Sequence, residues 1–103
     1  MIFLAEHYLP GSPLADLRRR AMRIRDAVAH MQAGGTSVRL LGSTIVPLDE
    51  AVLCVIEAPT EADVRLVSDH AEVSFERISA AMKGPASPRR HARPTNARLE
   101  ELV

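Results

Sequence analysis

The pattern of apolar positions in the first third of the chain predicts a strand and then a long helix. A short apolar run, Ile2–Leu9, is followed by the proline-rich segment Pro10–Pro13, which is typical of a strand ending in a turn. Within that segment Ser12 is a good N-cap and Pro13 suits the first helical position. Apolar residues then recur at spacings of three and four until Gly34, which predicts an amphipathic helix with these residues on one face: Leu14, Leu17, Ala21, Ile24, Val28 and Met31.

The middle of the chain predicts a β-hairpin followed by a second helix. Residues 36–46 and 51–58 are rich in β-branched and apolar side chains, and the turn-forming segment Pro47–Glu50 separates them. Pro59 and Thr60 then open a helix, with Thr60 and Asp63 at the spacing of a loose capping box. One face of this helix is apolar and comprises Val64, Val67 and Ala71.

The last element is predicted from the order of the others. Phe75, Ile78 and Met82 also fit helical spacing, but the order strand, helix, strand, strand, helix calls for a closing strand near residues 77–81. The resulting βαββαβ order is that of an α+β, ferredoxin-like plait, an antiparallel four-stranded sheet with two helices on one face.

The strand patterns predict that the second face of the sheet is also covered. Neither the first nor the third strand has a purely polar side, since Leu4, Glu6 and Tyr8 alternate with Phe3, Ala5 and His7, and Val52, Cys54 and Ile56 alternate with Leu53, Val55 and Glu57. Pairing with a second copy is the commonest way to bury such a face. We therefore expect a homodimer.

Composition divides the chain into a domain and a tail. The 103 residues suffice for one domain, which we place at residues 1–82, followed by a flexible basic Pro/Arg-rich tail at residues 83–103. The formal net charge is zero, with 13 basic and 13 acidic residues, but the tail is basic and the domain acidic. An acidic partner is a candidate for the tail. Nucleic acid binding by the sheet is not expected, because Phe3 and Tyr8 fall on opposite faces.

The single cysteine and the N-terminus indicate the compartment. Cys54 cannot form an intrachain disulfide, and the apolar N-terminal stretch stops at Glu6 without a preceding basic region. We expect a cytoplasmic protein that neither enters nor binds a membrane.

Three short patterns resemble those of a small bacterial ferredoxin-like family. These patterns are Ala5-Glu6-His7 at the end of the first strand, Cys54-Val55-Ile56-Glu57-Ala58-Pro59 at the end of the third, and Asp69-His70 at the end of the second helix. Most members of this family are of unknown function, and one is a nickel-binding dimeric α/β-barrel protein. The resemblance covers roughly residues 2–82 and implies a homodimer in the form of a dimeric α/β barrel that binds nickel or another divalent transition metal.

His7 and His70 are the first candidate metal ligands. In this topology the first strand and the second helix end at the same rim of the sheet, where the turn with Asp49 and Glu50 also lies. Two imidazoles and a carboxylate suit nickel, zinc or copper. The alternative is that His7 is a surface strand residue and that His70 is a helix C-terminal cation favoured by the helix dipole.

Glu6 and Glu57 are the next candidate ligands, and Cys54 is the last. A carboxylate near the end of an apolar strand must be solvated, paired or directed into a cavity. Either Glu6 and Glu57 enter one cavity, or each pairs with an arginine such as Arg39 or Arg77. Cys54 and Glu57 are three positions apart on a strand, and therefore on opposite faces, so Cys54 is better explained as a core thiol.

The resemblance, together with these candidate ligands, implies a small metal-binding or metal-sequestering homodimer for which catalysis is not required. The alternative from a different class is a cofactor-independent, monooxygenase-like enzyme of the dimeric-barrel type, with the barrel cavity as its pocket. The third is a non-catalytic interaction module that acts through its dimer surface and basic tail.

Overall fold

A computed structural model describes residues 1–88 and has the predicted α+β ferredoxin-like fold. The elements follow the order βαββαβ, with a short 3-10 turn in the hairpin. They are β1 (Ile2–Tyr8), α1 (Leu14–Ala33), β2 (Arg39–Val46), the turn Pro47–Asp49, β3 (Ala51–Glu57), α2 (Glu61–Ala71) and β4 (Arg77–Ala81).

The sheet is antiparallel throughout, in the strand order β2-β3-β1-β4. In the register of the central pair, Ala5 lies opposite Cys54 and His7 opposite Val52. The face that bears the helices carries the buried residues of both central strands, as the alternation predicts. With the apolar faces of the helices they form one core, which includes Phe3, Ala5, Leu17, Ile24, Val28, Cys54, Ile56, Val64 and Val67.

The helix ends follow the sequence signals with one correction. Helix α1 begins at Leu14 after an extended Pro13, so Pro13 and not Ser12 is its N-cap residue, and no side chain caps the helix. The helix ends at Ala33 with Gly34 as its C-cap residue, followed by Gly35 with a φ of 95°, a conformation that glycine adopts at little cost. At α2 the predicted cap is confirmed, since the Thr60 hydroxyl accepts a hydrogen bond from the Asp63 amide.

The closing strand is confirmed at residues 77–81. The helical spacing of the apolar residues in this segment does not produce a helix. Helix α2 ends because Glu72 adopts the left-handed conformation, with a φ of 55°. Ahead of β4, the Glu76 amide donates to the Glu6 carbonyl at 2.8 Å. This bond aligns the chain with β1, so that Arg77 lies opposite Glu6 and Ala81 opposite Ile2.

The second face of the sheet, which we call the open face, carries no helix. It holds Ile2, Leu4, Glu6 and Tyr8 of β1, and their neighbours in register on the other strands. No helix in the described part of the chain is long and apolar enough to cross a membrane. Most of the predicted tail lies outside the described residues, and its flexibility stays a prediction.

Candidate functional site

His7 is a buried residue that ties β1 to the connection between α2 and β4. Only 2% of it is exposed. Its Nδ1 lies 2.6 Å from the carbonyl oxygen of Ser74, and since a carbonyl only accepts, Nδ1 carries the hydrogen. Within residues 1–88, Nε2 is buried without a hydrogen-bond partner. The interpretation of His7 as a surface strand residue is therefore wrong, because it shares the face of Phe3 and Ala5 and follows them into the core.

Glu76 completes this connection. One of its carboxylate oxygens accepts from the Tyr8 amide at 2.7 Å and lies 3.5 Å from Nδ1 of His7, while the other accepts from the Ser74 hydroxyl at 2.7 Å. Partial burial alone would raise the pKa of Glu76, but the hydrogen bonds from Ser74 and Tyr8, together with the attraction of His7, outweigh it and lower the pKa. The network stabilises the start of β4 against the end of β1.

Glu6 and Glu57 lie on the open face and each pairs with an arginine. Oε2 of Glu6 is 3.7 Å from Nε of Arg77, and Oε1 of Glu57 is 3.4 Å from Nε of Arg39. The two carboxylates do not share a cavity, because Glu57 lies opposite Ile2 at the far end of β1 from Glu6. The arginine-paired alternative is thus confirmed for both residues.

Tyr8 gives Glu6 a second partner. Its hydroxyl donates to Oε1 of Glu6 at 2.6 Å, and this bond to a carboxylate, aided by desolvation, raises the pKa of Tyr8. The phenol is therefore held in its protonated form and acts as a donor. Only 14% of the Glu6 side chain remains exposed, although it lies on a face without helices.

Cys54 lies in the core, on the side of the sheet opposite Glu57. It is fully buried, and burial raises the pKa of its thiol to about 12. A metal ligand or nucleophile must be a thiolate, which this environment opposes. Glu50 of the predicted rim is also engaged, since its carboxylate accepts from the Gly11 amide at 2.8 Å and its carbonyl accepts from the Leu9 amide.

His70 lies against a histidine that the sequence pattern did not single out. The rings of His70, in the last turn of α2, and His30, in the last turn of α1, have centroids 5.9 Å apart and are inclined by 48°. They line a surface depression of about 290 Å³ together with Asp26 and Glu72. We call it the histidine depression. No spacing rule could pair these rings, because their contact depends on how the two helices pack.

The five predicted ligands do not converge on one site. Glu6 and Glu57 are on the open face, His7 and Cys54 face the helices, and His70 lies at the histidine depression. Among residues 1–88, no three His, Cys, Asp or Glu side chains are grouped so that they could hold a metal ion. Strand alternation explains the separation, since neighbouring positions such as Glu6 and His7 point to opposite sides. Metal binding itself stays a prediction.

Comparison with known proteins supports the fold. No family model and no curated protein matches the chain. Among solved structures, the crystal structure of SCO4226 from Streptomyces coelicolor A3(2) matches with a TM-score of 0.61 and 17% sequence identity, over 85% of this chain and 100% of that chain. At this identity the likeness shows a shared fold.

Proposed function

We propose that the protein binds a divalent transition metal, such as nickel, as a homodimer. The observation that carries the proposal is the contact between His30 and His70 at the histidine depression. Of the predicted ligands, the proposed site keeps His70, and His30 takes the place of His7. Imidazole nitrogen is a suitable ligand for nickel, zinc and copper.

The spacing of the two rings supports a shared metal. A metal bound about 2.0–2.1 Å from an imidazole nitrogen lies roughly 3.2 Å from the ring centre, so two rings on one metal have centroids about 4.5 to 6.5 Å apart. The centroid distance of 5.9 Å for His30 and His70 falls within this range. Both side chains are exposed, so they are free to rotate and direct a nitrogen each at one ion.

The charged groups around the pair balance one another, so the two imidazoles would supply the affinity for a metal. Asp26 and Glu72 line the same depression, and Asp26 lies one helical turn before His30. Arg23 is also present, but its guanidinium group donates to the carbonyl oxygens of Ala71 and Glu72 and to the Glu72 carboxylate. The Glu72 carboxylate is thus paired with Arg23, and Asp26 is paired in the same way with Arg25. Two protein ligands leave coordination positions for water, which suits reversible binding more than a closed structural site.

Nickel uptake by histidine variants tests this site. In native mass spectrometry of tag-free protein, we expect a fixed, saturable number of Ni(II) ions per subunit, and a loss of affinity of roughly 100-fold or more in His30→Ala and in His70→Ala, since even indirect partners of a metal ligand contribute about 10- to 100-fold. Asp69→Ala is the matched control, because Asp69 precedes His70 but lines a different depression, with Arg20. Equal uptake by the wild-type protein and both histidine variants would contradict the proposal.

The open face supports the homodimer. Apolar side chains of β1 and β3, among them Leu4, Leu53 and Val55, remain partly accessible there because no helix covers them. The main charges on this face, Glu6 with Arg77 and Glu57 with Arg39, neutralise one another in pairs. A face of this composition is costly to leave in water, and a second copy would cover it.

A charge placed on the open face tests the dimer. We expect Leu4→Glu to convert a dimer into a monomer in light scattering coupled to size exclusion, because the new carboxylate would be buried in the interface near Glu6. Leu66→Glu is the control, since Leu66 is an exposed apolar residue of α2. Circular dichroism checks that both variants fold. A monomeric wild-type protein, or a dimeric, folded Leu4→Glu variant, would refute this arrangement.

A further inference from the structure

The open face contains an apolar hollow that neither the ion pairs nor the histidine depression uses. Its volume is about 460 Å³, within the range of small-molecule pockets. Apolar side chains from all four strands line it, with one cation at its edge. We call it the Gly42 hollow, and the residues on which the argument rests are Ile2, Leu4, Leu41, Gly42, Val55 and Lys83.

The backbone of β2 creates this hollow. A register shift between Leu40 and Gly42 marks a β-bulge in the pairing of β2 with β3. Gly42, opposite Val55, has no side chain to fill the space, and a Cβ atom built there meets no other atom within 4 Å. Because a bulge and a missing side chain are fixed by the chain itself, the hollow does not depend on the rotamer of one flexible residue.

Lys83 gives the hollow a charge preference. The other charged side chains of the open face are paired, Glu6 with Arg77 and Glu57 with Arg39. Lys83, by contrast, forms no ion pair with any residue in 1–88 and lies beside apolar walls. An apolar surface with a single unpaired cation at its edge complements a molecule with a hydrocarbon body and an acidic end.

We propose that the Gly42 hollow binds a small apolar carboxylic acid. Its hydrocarbon part lies against Ile2, Leu4 and Val55, and its carboxylate faces Lys83. In the homodimer proposed above, the second copy covers the open face and encloses the bound acid. The inference is independent of metal binding, since the hollow and the histidine depression share no lining residue.

Calorimetric titration of the full chain with decanoate and with decan-1-ol, below their aggregation concentrations and without metal, tests the proposal. We expect decanoate to bind saturably, at one site per subunit. Gly42→Leu should weaken this binding by about tenfold or more, because the leucine fills the hollow. Lys83→Gln should weaken the binding of decanoate by about two- to fivefold and leave the binding of decan-1-ol unchanged.

Thr44→Leu is the matched control, because Thr44 lies two positions along β2 on the same face but does not line the hollow. Gly42 has no positive φ, so a strand residue is accommodated there without backbone strain. Three results would overturn the proposal. The first is that the wild-type protein does not bind decanoate, which would also be the result if side chains of the second copy fill the hollow. The second is that Gly42→Leu and Thr44→Leu lose decanoate affinity to the same extent. The third is that the wild-type protein binds decanoate and decan-1-ol with equal affinity.

Discussion

We expect replacement of His7 by Ala to lower the free energy of unfolding by about 3 to 5 kcal/mol. The substitution removes a fully enclosed ring from the core and leaves a cavity opposite Val52. It also removes the hydrogen bond from Nδ1 to the Ser74 carbonyl. For a domain of this size such a loss is a large share of the total stability, so urea unfolding followed by circular dichroism would detect it easily.

Two further variants separate the ring from the hydrogen bond. His7→Asn keeps a donor near the position of Nδ1 but loses the bulk of the ring, whereas His7→Phe keeps the bulk and loses the donor. We expect both to be more stable than His7→Ala. His7→Phe also removes the unpartnered Nε2, whose burial is itself unfavourable, so it should cost less than about 2 kcal/mol. A His7→Ala protein as stable as the wild type would refute the role given to His7.

The same His7→Phe variant separates the fold from the metal site. His7 was predicted to be a nickel ligand with His70, but its one hydrogen-bonding nitrogen is committed to Ser74 and the other lies in the core. Nickel uptake by His7→Phe should therefore equal that of the wild-type protein, while His70→Ala loses it. Loss of uptake in folded His7→Phe would restore His7 as a ligand.

Much of the fold could be predicted because it depends on local periodicity and element order. The alternation in β1 and β3 correctly separated the two faces of the sheet, including the opposition of Cys54 and Glu57. The closing strand was the weakest local signal, yet the order of the five preceding elements required it, and it lies at Arg77–Ala81. The same alternation already placed His7 on the sheet face of Phe3 and Ala5, so the burial of His7 could have been predicted from this shared face.

The candidate site was harder to predict because it depends on packing between elements distant in sequence. His30 and His70 meet only through the contact of α1 with α2, which no spacing along the chain encodes. The prediction that β1 and α2 end at the same rim of the sheet was insufficient, because it does not specify on which face of its element each histidine lies. The arginine partners of Glu6 and Glu57 were easier, since strand register brings Arg77 and Arg39 directly opposite them.

The second large effect we expect is a loss of stability in alkaline solution that is due to Cys54. Burial raises the pKa of this thiol from an ordinary value of 9.0 to about 12 in the folded protein. The unfolded chain ionises near the ordinary value and so gives up its proton first as pH rises. Stability from the protonated thiol is therefore fully present below pH 9 and is lost between about pH 9 and 12, by up to about 4 kcal/mol.

Cys54→Ala isolates this contribution, because alanine cannot ionise. Below pH 9 the variant should be less stable than the wild type, by about 1 kcal/mol, since a small core side chain has been shortened. Above pH 9 its stability should fall less steeply, so that the difference shrinks and then reverses in urea titrations at pH 8, 9, 10 and 11. Tyr8, whose pKa is also raised, is present in both proteins and cancels from the comparison. Parallel stability curves over this range would mean that the thiol ionises equally in the folded and unfolded chains, which complete burial beside Ala5 and the core forbids.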